Sequence, residues 1–337
     1  MGNPILTYYM PAIPATGCLF CHEGSKMVLF ITGVCGRRCW YCPLSRERKG
    51  HDHIYANEKR ISSPEEAIAV AYRMSACGTG ITGGEPLDRL DRVVDYSRAL
   101  KKVFGKQHHI HLYTACAPSD EILRRLTGLI DEIRMHPPVD CWDHLLETDF
   151  IRAVRHAREL GFESGLEVPA LPEIGRLETA LPDLDFLNIN ELEWGETNAQ
   201  EMRSRNLYPE DSVHNAVAGS KDWAFLISRH EKVWFCSSLF KDSVQLRQRL
   251  LRLARNTARP FDEVTEDGTV VYGLVEDVRV IPSILKDYGE DMYIIQDGAI
   301  ETAWWILLNE KERIGGKKSV VERYPDRGIV VEVTPLK

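Results

Sequence analysis

Nine cysteines occur in the 337 residues, and five of them, Cys18, Cys21, Cys35, Cys39 and Cys42, fall within 25 positions. Clustering of that kind points to metal ligation. The tightest group is Cys35-x3-Cys39-x2-Cys42, in C-G-R-R-C-W-Y-C. Three soft thiolates on one short loop reach three corners of a cubane iron-sulfur cluster. A closed structural zinc site needs a fourth ligand, and none lies nearby at a usual spacing. The alternatives are a zinc knuckle or chance spacing. Three ligands leave one iron open, and an open iron is a place for chemistry. Arg37 and Arg38, between the ligands, would offset the cluster's negative charge.

The elements around this loop have an α/β pattern. MVLFITGV (27–34) is an apolar, β-rich run that predicts a buried strand, with the Cys loop at its C-terminal end. Catalytic loops of β/α barrels sit at that end. Strands are expected at 77–82, 108–115, 132–136, 164–170 and 184–190. Helices are expected at 64–76, 88–104, 118–127 and 148–160. Ser63-Pro64-Glu65-Glu66 is a capping box with Pro at the first helical position. Six β/α units predict a partial barrel rather than a closed eightfold one. A hairpin (223–236) and a basic helix (239–257) are expected next. Pro260 marks a boundary before a small α+β domain with a helix near 299–311. The expected organisation is a Cys-containing extension (1–26), a partial barrel (27–259) and a C-terminal domain (260–337).

The strand at 77–82 runs into Gly83-Gly84-Glu85-Pro86. With the cluster loop before it, in that order and at that spacing, the chain resembles the radical SAM superfamily over roughly residues 25–240. The likeness is nearest in style to activating enzymes of glycyl-radical proteins, such as pyruvate formate-lyase activating enzyme, and their uncharacterised prokaryotic relatives. The resemblance implies a partial (β/α)6 barrel and a [4Fe-4S] cluster on Cys35, Cys39 and Cys42. It implies that the open iron takes the amino and carboxylate groups of S-adenosylmethionine. Gly83, Gly84, Glu85 and Pro86 would present backbone groups to the methionine amine, and Tyr41 would lie against the adenine. One electron would then cleave the sulfonium to methionine and a 5′-deoxyadenosyl radical, which abstracts hydrogen. A ferredoxin or flavodoxin type electron donor is the implied partner. The two glycines suit a cofactor that approaches the backbone closely.

Polar residues at strand ends are candidate cofactor contacts: Thr114, His136, Glu167, Asn188 and Asn190, with Glu191 following. Each also has an ordinary reading as a satisfied structural hydrogen bond. Cys18-Leu-Phe-Cys21 has zinc or iron-sulfur spacing. With Cys236 it could share an auxiliary cluster or zinc, joined by Cys116 or Cys141; buried or free thiols are the alternative. Core cysteine is the plain reading of Cys77, Cys116 and Cys141.

Composition narrows the substrate little. The chain is 44% hydrophobic and 27% charged, with net charge −8. That excludes a disordered chain, a collagen-like fibre and a coiled coil. No run approaches 18 uncharged apolar residues, and the N-terminus lacks a secretory pattern, so a soluble cytoplasmic protein is expected. Basic residues concentrate at Arg37–Lys49 and Lys241–Arg259. Arg46, Arg48, Lys49, His51 and His53 in the first stretch, and Arg247, Arg249, Arg252 and Arg255 in the second, could face an anionic substrate. A solvated face is the alternative, and no aromatics interleave as a stacking platform requires. The expected function is C–H activation on a macromolecule, with tRNA or another RNA first. A protein or peptide target, as for glycyl-radical activases or maturases, is the alternative. A non-catalytic iron-sulfur or zinc binding module is a further one.

Overall fold

The computed structural model describes residues 14–277 and 282–337. The first 13 residues of the expected N-terminal extension lie outside that range. The chain divides into two compact units. Among the described residues, the first takes 14–72 and 76–245, and the second 73–75, 246–277 and 282–337.

The first unit carries a nine-stranded sheet. Its strands are β1 (Lys26–Phe30), β2 (Ile54–Ala56), β3 (Lys59–Ile61), β4 (Gly78–Thr82), β5 (His109–Thr114), β6 (Glu132–Met135), β7 (Glu163–Pro169), β8 (Leu187–Asn190) and β9 (Val233–Cys236). The order is β3-β2-β1-β4-β5-β6-β7-β8-β9. β2 is antiparallel to both β3 and β1, and every pair from β1–β4 to β8–β9 is parallel. Helices α1 (Thr16–His22), α2 (Pro64–Arg73), α3 (Leu90–Phe104), α4 (Asp120–Leu126) and α5 (Asp149–Glu159) accompany them. The ends β3 and β9 do not pair, so the barrel is open. Its curl shows in long-range electrostatics. Lys26 of β1 acts on Glu167 of β7 and Cys236 of β9.

All six expected β/α strands are present, and a seventh parallel strand continues them. The expected hairpin at 223–236 is corrected: KVWFC is β9, parallel to β8, and the WAFLIS run begins in helix Ser220–Ala224. Left-handed Gly219 supplies that helix's N-cap, and a short apolar run fits a buried helix as well as a strand. Alternation along the strands separates two environments. Ile110 and Leu112 of β5 and Ile133 and Met135 of β6 join an apolar layer. The opposite face carries His109, His111, Glu132, Arg134 and Glu167, a polar barrel interior. α1 enters it, with Ala15 and Cys18 packed on Phe186 and Trp234.

The second unit holds a six-stranded antiparallel sheet: β10 (Glu263–Val264), β11 (Val270–Glu276), β12 (Tyr293–Gln296), β13 (Ala299–Thr302), β14 (Lys317–Arg323) and β15 (Val330–Leu336). Its core includes Phe261, Tyr272, Val275, Ile306 and Leu307. The expected helix at 299–311 is corrected to β13 followed by helix Trp304–Asn309. Asp297 and Gly298 both have positive φ, the tight turn that joins β12 to β13 as a hairpin. Among the described residues, no helix is long and apolar enough to cross a membrane.

Candidate active site

The Cys loop leaves the C-terminal end of β1, and its position is set by backbone contacts on both sides. Gly84 N–H donates to Thr32 O at 2.7 Å and Glu85 N–H to Val34 O at 2.9 Å. The 83–85 segment thus lies against 32–34 like an added rung of sheet. A Cβ on Gly83 would sit 2.5 Å from the Thr32 oxygen, and one on Gly84 2.3 Å from the Val34 oxygen. The two glycines are therefore required by this close backbone packing. Gly33 is tighter still, with a Cβ position 1.6 Å from Arg48 O.

Glu85 locks the turn. Its carboxylate accepts from Leu87 N at 2.9 Å, Thr114 Oγ1 at 2.8 Å and Ala115 N at 2.6 Å. Burial nevertheless pushes its carboxyl above the usual range, against those donors. Thr114 is thereby drawn into the support of Glu85. Arg37 lies in the loop itself and donates to Ala115 O at 2.6 Å, tying the loop to the end of β5.

Tyr41 is buried, and its hydroxyl meets His136 Nε2 at 2.8 Å. His136 Nδ1 faces Glu167 O at 2.9 Å, so the imidazole bridges the Cys loop and β7. Glu167 is at the centre of the interior. It accepts from Arg134 Nη1 at 2.6 Å, Asn190 Nδ2 at 2.7 Å and Asn188 Nδ2 at 3.2 Å. Burial works against the Glu167 anion, but Arg134 and Asn190 outweigh it and hold its carboxyl low. Asn188 Oδ1 is buried with no hydrogen-bond partner among the described residues.

Three contributors were not legible in the sequence. Asn198 Nδ2 donates to Tyr41 O at 3.0 Å and to Glu193 O at 2.9 Å. Thr197 Oγ1 donates to Leu44 O at 2.6 Å. On the other side Asp52 accepts from Thr32 Oγ1 and Arg92 Nη1, both at 2.7 Å. The only sequence signal for Thr197 and Asn198 is a polar run just past a strand's C-terminal end, where barrel loops carry function.

The cysteines fall into three places. Cys35, Cys39 and Cys42 share the loop, half-buried. Burial raises Cys35 and Cys39 above the ordinary thiol value. Cys18 and Cys21 lie on α1 in the interior, and Cys236 ends β9. Cys18 Sγ lies 3.5 Å from Arg134 Nη2, and burial pushes its thiol up to about 12. Gln245 Nε2 donates to Cys236 Sγ at 3.6 Å. Cys116 and Cys141 line a cleft of about 920 Å³ beside the loop, with Arg37, Pro138, His144 and Phe150.

These residues fit an iron-sulfur cluster better than a single ion. Sulfurs around one tetrahedral zinc are about 3.8 Å apart. Among the described residues, neither Cys35, Cys39 and Cys42 nor Cys18, Cys21 and Cys236 form a trio whose ligand atoms all lie within 4.8 Å. The wider spread of the first trio suits separate corners of a cubane.

The basic stretches are mostly engaged. Arg46 pairs with Glu196 at 2.9 Å, and Arg48 stacks over Tyr55 at 4.5 Å while donating to Asn57 O. Arg247 donates to Glu266 O at 2.9 Å, and Arg252 to Met74 O at 2.9 Å.

Residues 29–176 match the family model described as Radical SAM superfamily, and residues 268–336 match a domain of unknown function, DUF8061. A protein of Methanocaldococcus jannaschii, provisionally named a glycyl-radical enzyme activating enzyme, is 39% identical over 299 residues. The alignment covers 83% of this chain and 79% of that protein. Solved structures of Streptococcus suis SuiB are also similar. The form bound to S-adenosylmethionine has 12% identity and a TM-score of 0.41, covering 63% of this chain and 50% of that one. The form bound to the precursor peptide SuiA has 14% identity and a TM-score of 0.41, covering 63% and 48%. The chain thus spans about half the length of the SuiB structures. The family match together with the 39% identical relative makes the chain a member of the radical SAM superfamily, an enzyme that uses a [4Fe-4S] cluster and S-adenosylmethionine.

Proposed function

We propose that this enzyme abstracts hydrogen from a protein, as an activase of a glycyl-radical partner. The observation that carries this reading is the 39% identity to the M. jannaschii protein of that provisional name, extending over 79% of its length. The partnered state of Arg46, Arg48, Arg247 and Arg252 supports it, because an RNA surface needs cations available to phosphates. Nothing found favours the RNA target expected from the sequence.

In this reading Cys35, Cys39 and Cys42 hold the cluster by their sulfurs. When bound, the cluster supplies the electron that cleaves S-adenosylmethionine to methionine and a 5′-deoxyadenosyl radical. The chain's own groups position that chemistry. Backbone groups of Gly83–Pro86, in a turn held by the Glu85 carboxylate, would take the methionine end. Tyr41, braced by His136 and Asn198, fixes the loop between the second and third thiols. Arg37 places positive charge beside the thiolates. Asn188 Oδ1 has acceptor capacity left to meet a bound group. A ferredoxin or flavodoxin type protein is the proposed reductant.

The test uses cells of the native host grown on deuterated glycine. Their protein fraction is mixed with reduced holoenzyme and S-adenosylmethionine. Deuterium is expected in 5′-deoxyadenosine, abolished by protease and unaffected by ribonuclease. 5′-Deoxyadenosine that forms without deuterium would overturn the proposal.

A further inference from the structure

The N-terminal end of the barrel interior holds a group that the active-site reading does not use. His109 and His111 of β5 and Glu132 of β6 each offer one ligand atom, and these atoms lie within 4.8 Å of one another. Strand geometry brings them together. His109 and His111 are two apart, so they share a face, and the parallel register sets His111 beside Glu132. The next pair in the same row is Glu132 and Glu163. Glu132 and His111 are fully buried and His109 nearly so.

What makes this group unusual is missing partners. Both ring nitrogens of His111, and Nδ1 of His109, are buried with no hydrogen-bond partner among the described residues. A neutral imidazole presents one donor and one acceptor, so His111 leaves both unmet. Unmet polar groups of this kind are costly when buried. Glycines flank the ring. A Cβ on Gly17 would lie 2.3 Å from His111 Nδ1, and one on Gly80 2.5 Å from Nε2. The carboxylate is already oriented. Glu132 Oε1 accepts from Arg134 Nε, while Oε2 accepts from Gly17 N at 2.8 Å and lies 3.5 Å from His109 Nε2. Oε2 keeps a lone pair, since each carboxylate oxygen has two.

We propose that His109, His111 and Glu132 are the protein ligands of a divalent transition-metal ion of the zinc class. Two imidazoles and one carboxylate are a donor set that such ions take, whereas magnesium and calcium prefer oxygen alone. The carboxylates beside the site are Glu132 and Glu163, Arg134 pairs with Glu132 and Glu167, and Lys26 is a second cation that acts on His111. Arg134 serves as an outer partner that fixes the ligating carboxylate. The site sits at the N-terminal ends of β5 and β6, opposite the end that carries the Cys loop. Gly17 N of α1 contacts its carboxylate, so the ion would pin α1 to the barrel. The proposal is independent of the substrate of the radical reaction.

The experiment loads the cluster-containing full-length protein with Zn²⁺ alone, desalts it, and counts zinc by elemental analysis. About one zinc per chain is expected to remain. It should remain also when Cys35, Cys39 and Cys42 are all changed to Ser. His109→Gln and His111→Gln should each weaken retention by more than the roughly 10–100-fold that loss of an outer partner costs. Should those variants fail to fold, zinc K-edge absorption on the unaltered protein decides. Nitrogen and oxygen neighbours at about 2.0–2.1 Å support the site, and sulfur at about 2.3 Å overturns it. No zinc retained by the folded protein, or equal retention in the histidine variants, also overturns it.

Discussion

At the C-terminal mouth of the barrel, Glu85 is buried and its carboxylate receives three donors. At the N-terminal floor, His111 is buried as deeply and neither ring nitrogen has a partner among the described residues. Both ends place ionisable groups out of water, yet only one meets its own hydrogen-bonding needs. The mouth is a clamp: Asn198 and Thr197 hold the Cys loop through the backbone oxygens of Tyr41 and Leu44, Glu85 N–H holds Val34 O, and Asp52 braces Thr32 through its hydroxyl. The floor is a cage with capacity left over. A clamp works by rigidity and holds its cofactor with a few sulfurs. A cage of unmet nitrogens asks for a ligand of its own. The difference also separates the kinds of failure that mutation and pH should cause.

Removing the centre of the clamp should do the most damage. Glu85→Ala leaves Leu87 N, Ala115 N and Thr114 Oγ1 without their acceptor, and should destabilise the first unit by about 3 kcal/mol or more in urea unfolding. S-adenosylmethionine cleavage should fall with it. Unchanged unfolding would mean that the mouth is not held by this carboxylate.

Acid should act on buried histidines at both ends, on His108, His109 and His111 at the floor and on His136 at the mouth, because burial lowers all four. His108, next to β5, faces Thr79 Oγ1 at 2.8 Å, and burial pushes its pKa down to about 4 from an ordinary 6.5. A histidine depressed on folding contributes stability that is full above its unfolded value. That contribution fades as pH falls from about 6.5 through 4, a loss of about 3 kcal/mol. Burial shifts His109 and His111 the same way. Glu85 has the opposite sign. Its raised carboxyl penalises the fold at neutral pH, and that penalty eases as acid protonates it. His108→Gln keeps a polar partner for Thr79 and should flatten the stability profile between pH 6.5 and 4. An unaltered profile would contradict a neutral buried His108.

A smaller effect tests the backbone seam. Gly84→Ala puts a methyl against Val34 O and should cost about 1–3 kcal/mol. Wild-type stability there would show that the 83–85 segment moves away from residues 32–34 easily.

Local signals in the sequence were read well, and long-range ones were not. Cys35, Cys39 and Cys42 sit on one loop because their spacing is local, and Gly83-Gly84 follows β4 directly. β1 and β4 through β8 are legible as apolar, β-rich runs, whereas the short β2–β3 hairpin carries no such run and is not expected from the sequence. β9 was mistaken for half of a hairpin, because an apolar run carries no record of which strand it pairs with. Asn198 lies 157 positions from the Tyr41 oxygen it holds. Glu132 meets Gly17 across 115 positions, through strand register and the entry of α1. Neither distance leaves a trace in spacing. The glycines of the Gly-Gly-Glu-Pro segment are legible in the sequence, but their close packing on the carbonyls of Thr32 and Val34 is not, because those neighbours lie about 50 positions away. Asp297-Gly298 was a readable hairpin signal that a helical reading of residues 299–311 overlooked.

The decisive experiment is anaerobic reconstitution of the protein and of Cys39→Ala, each assayed with dithionite and S-adenosylmethionine for iron content and 5′-deoxyadenosine. The loop's three thiols predict about four irons in the parent protein and cleavage that disappears in the variant. Cleavage that survives in Cys39→Ala, or tetrahedral zinc bound by Cys35, Cys39 and Cys42, would contradict them.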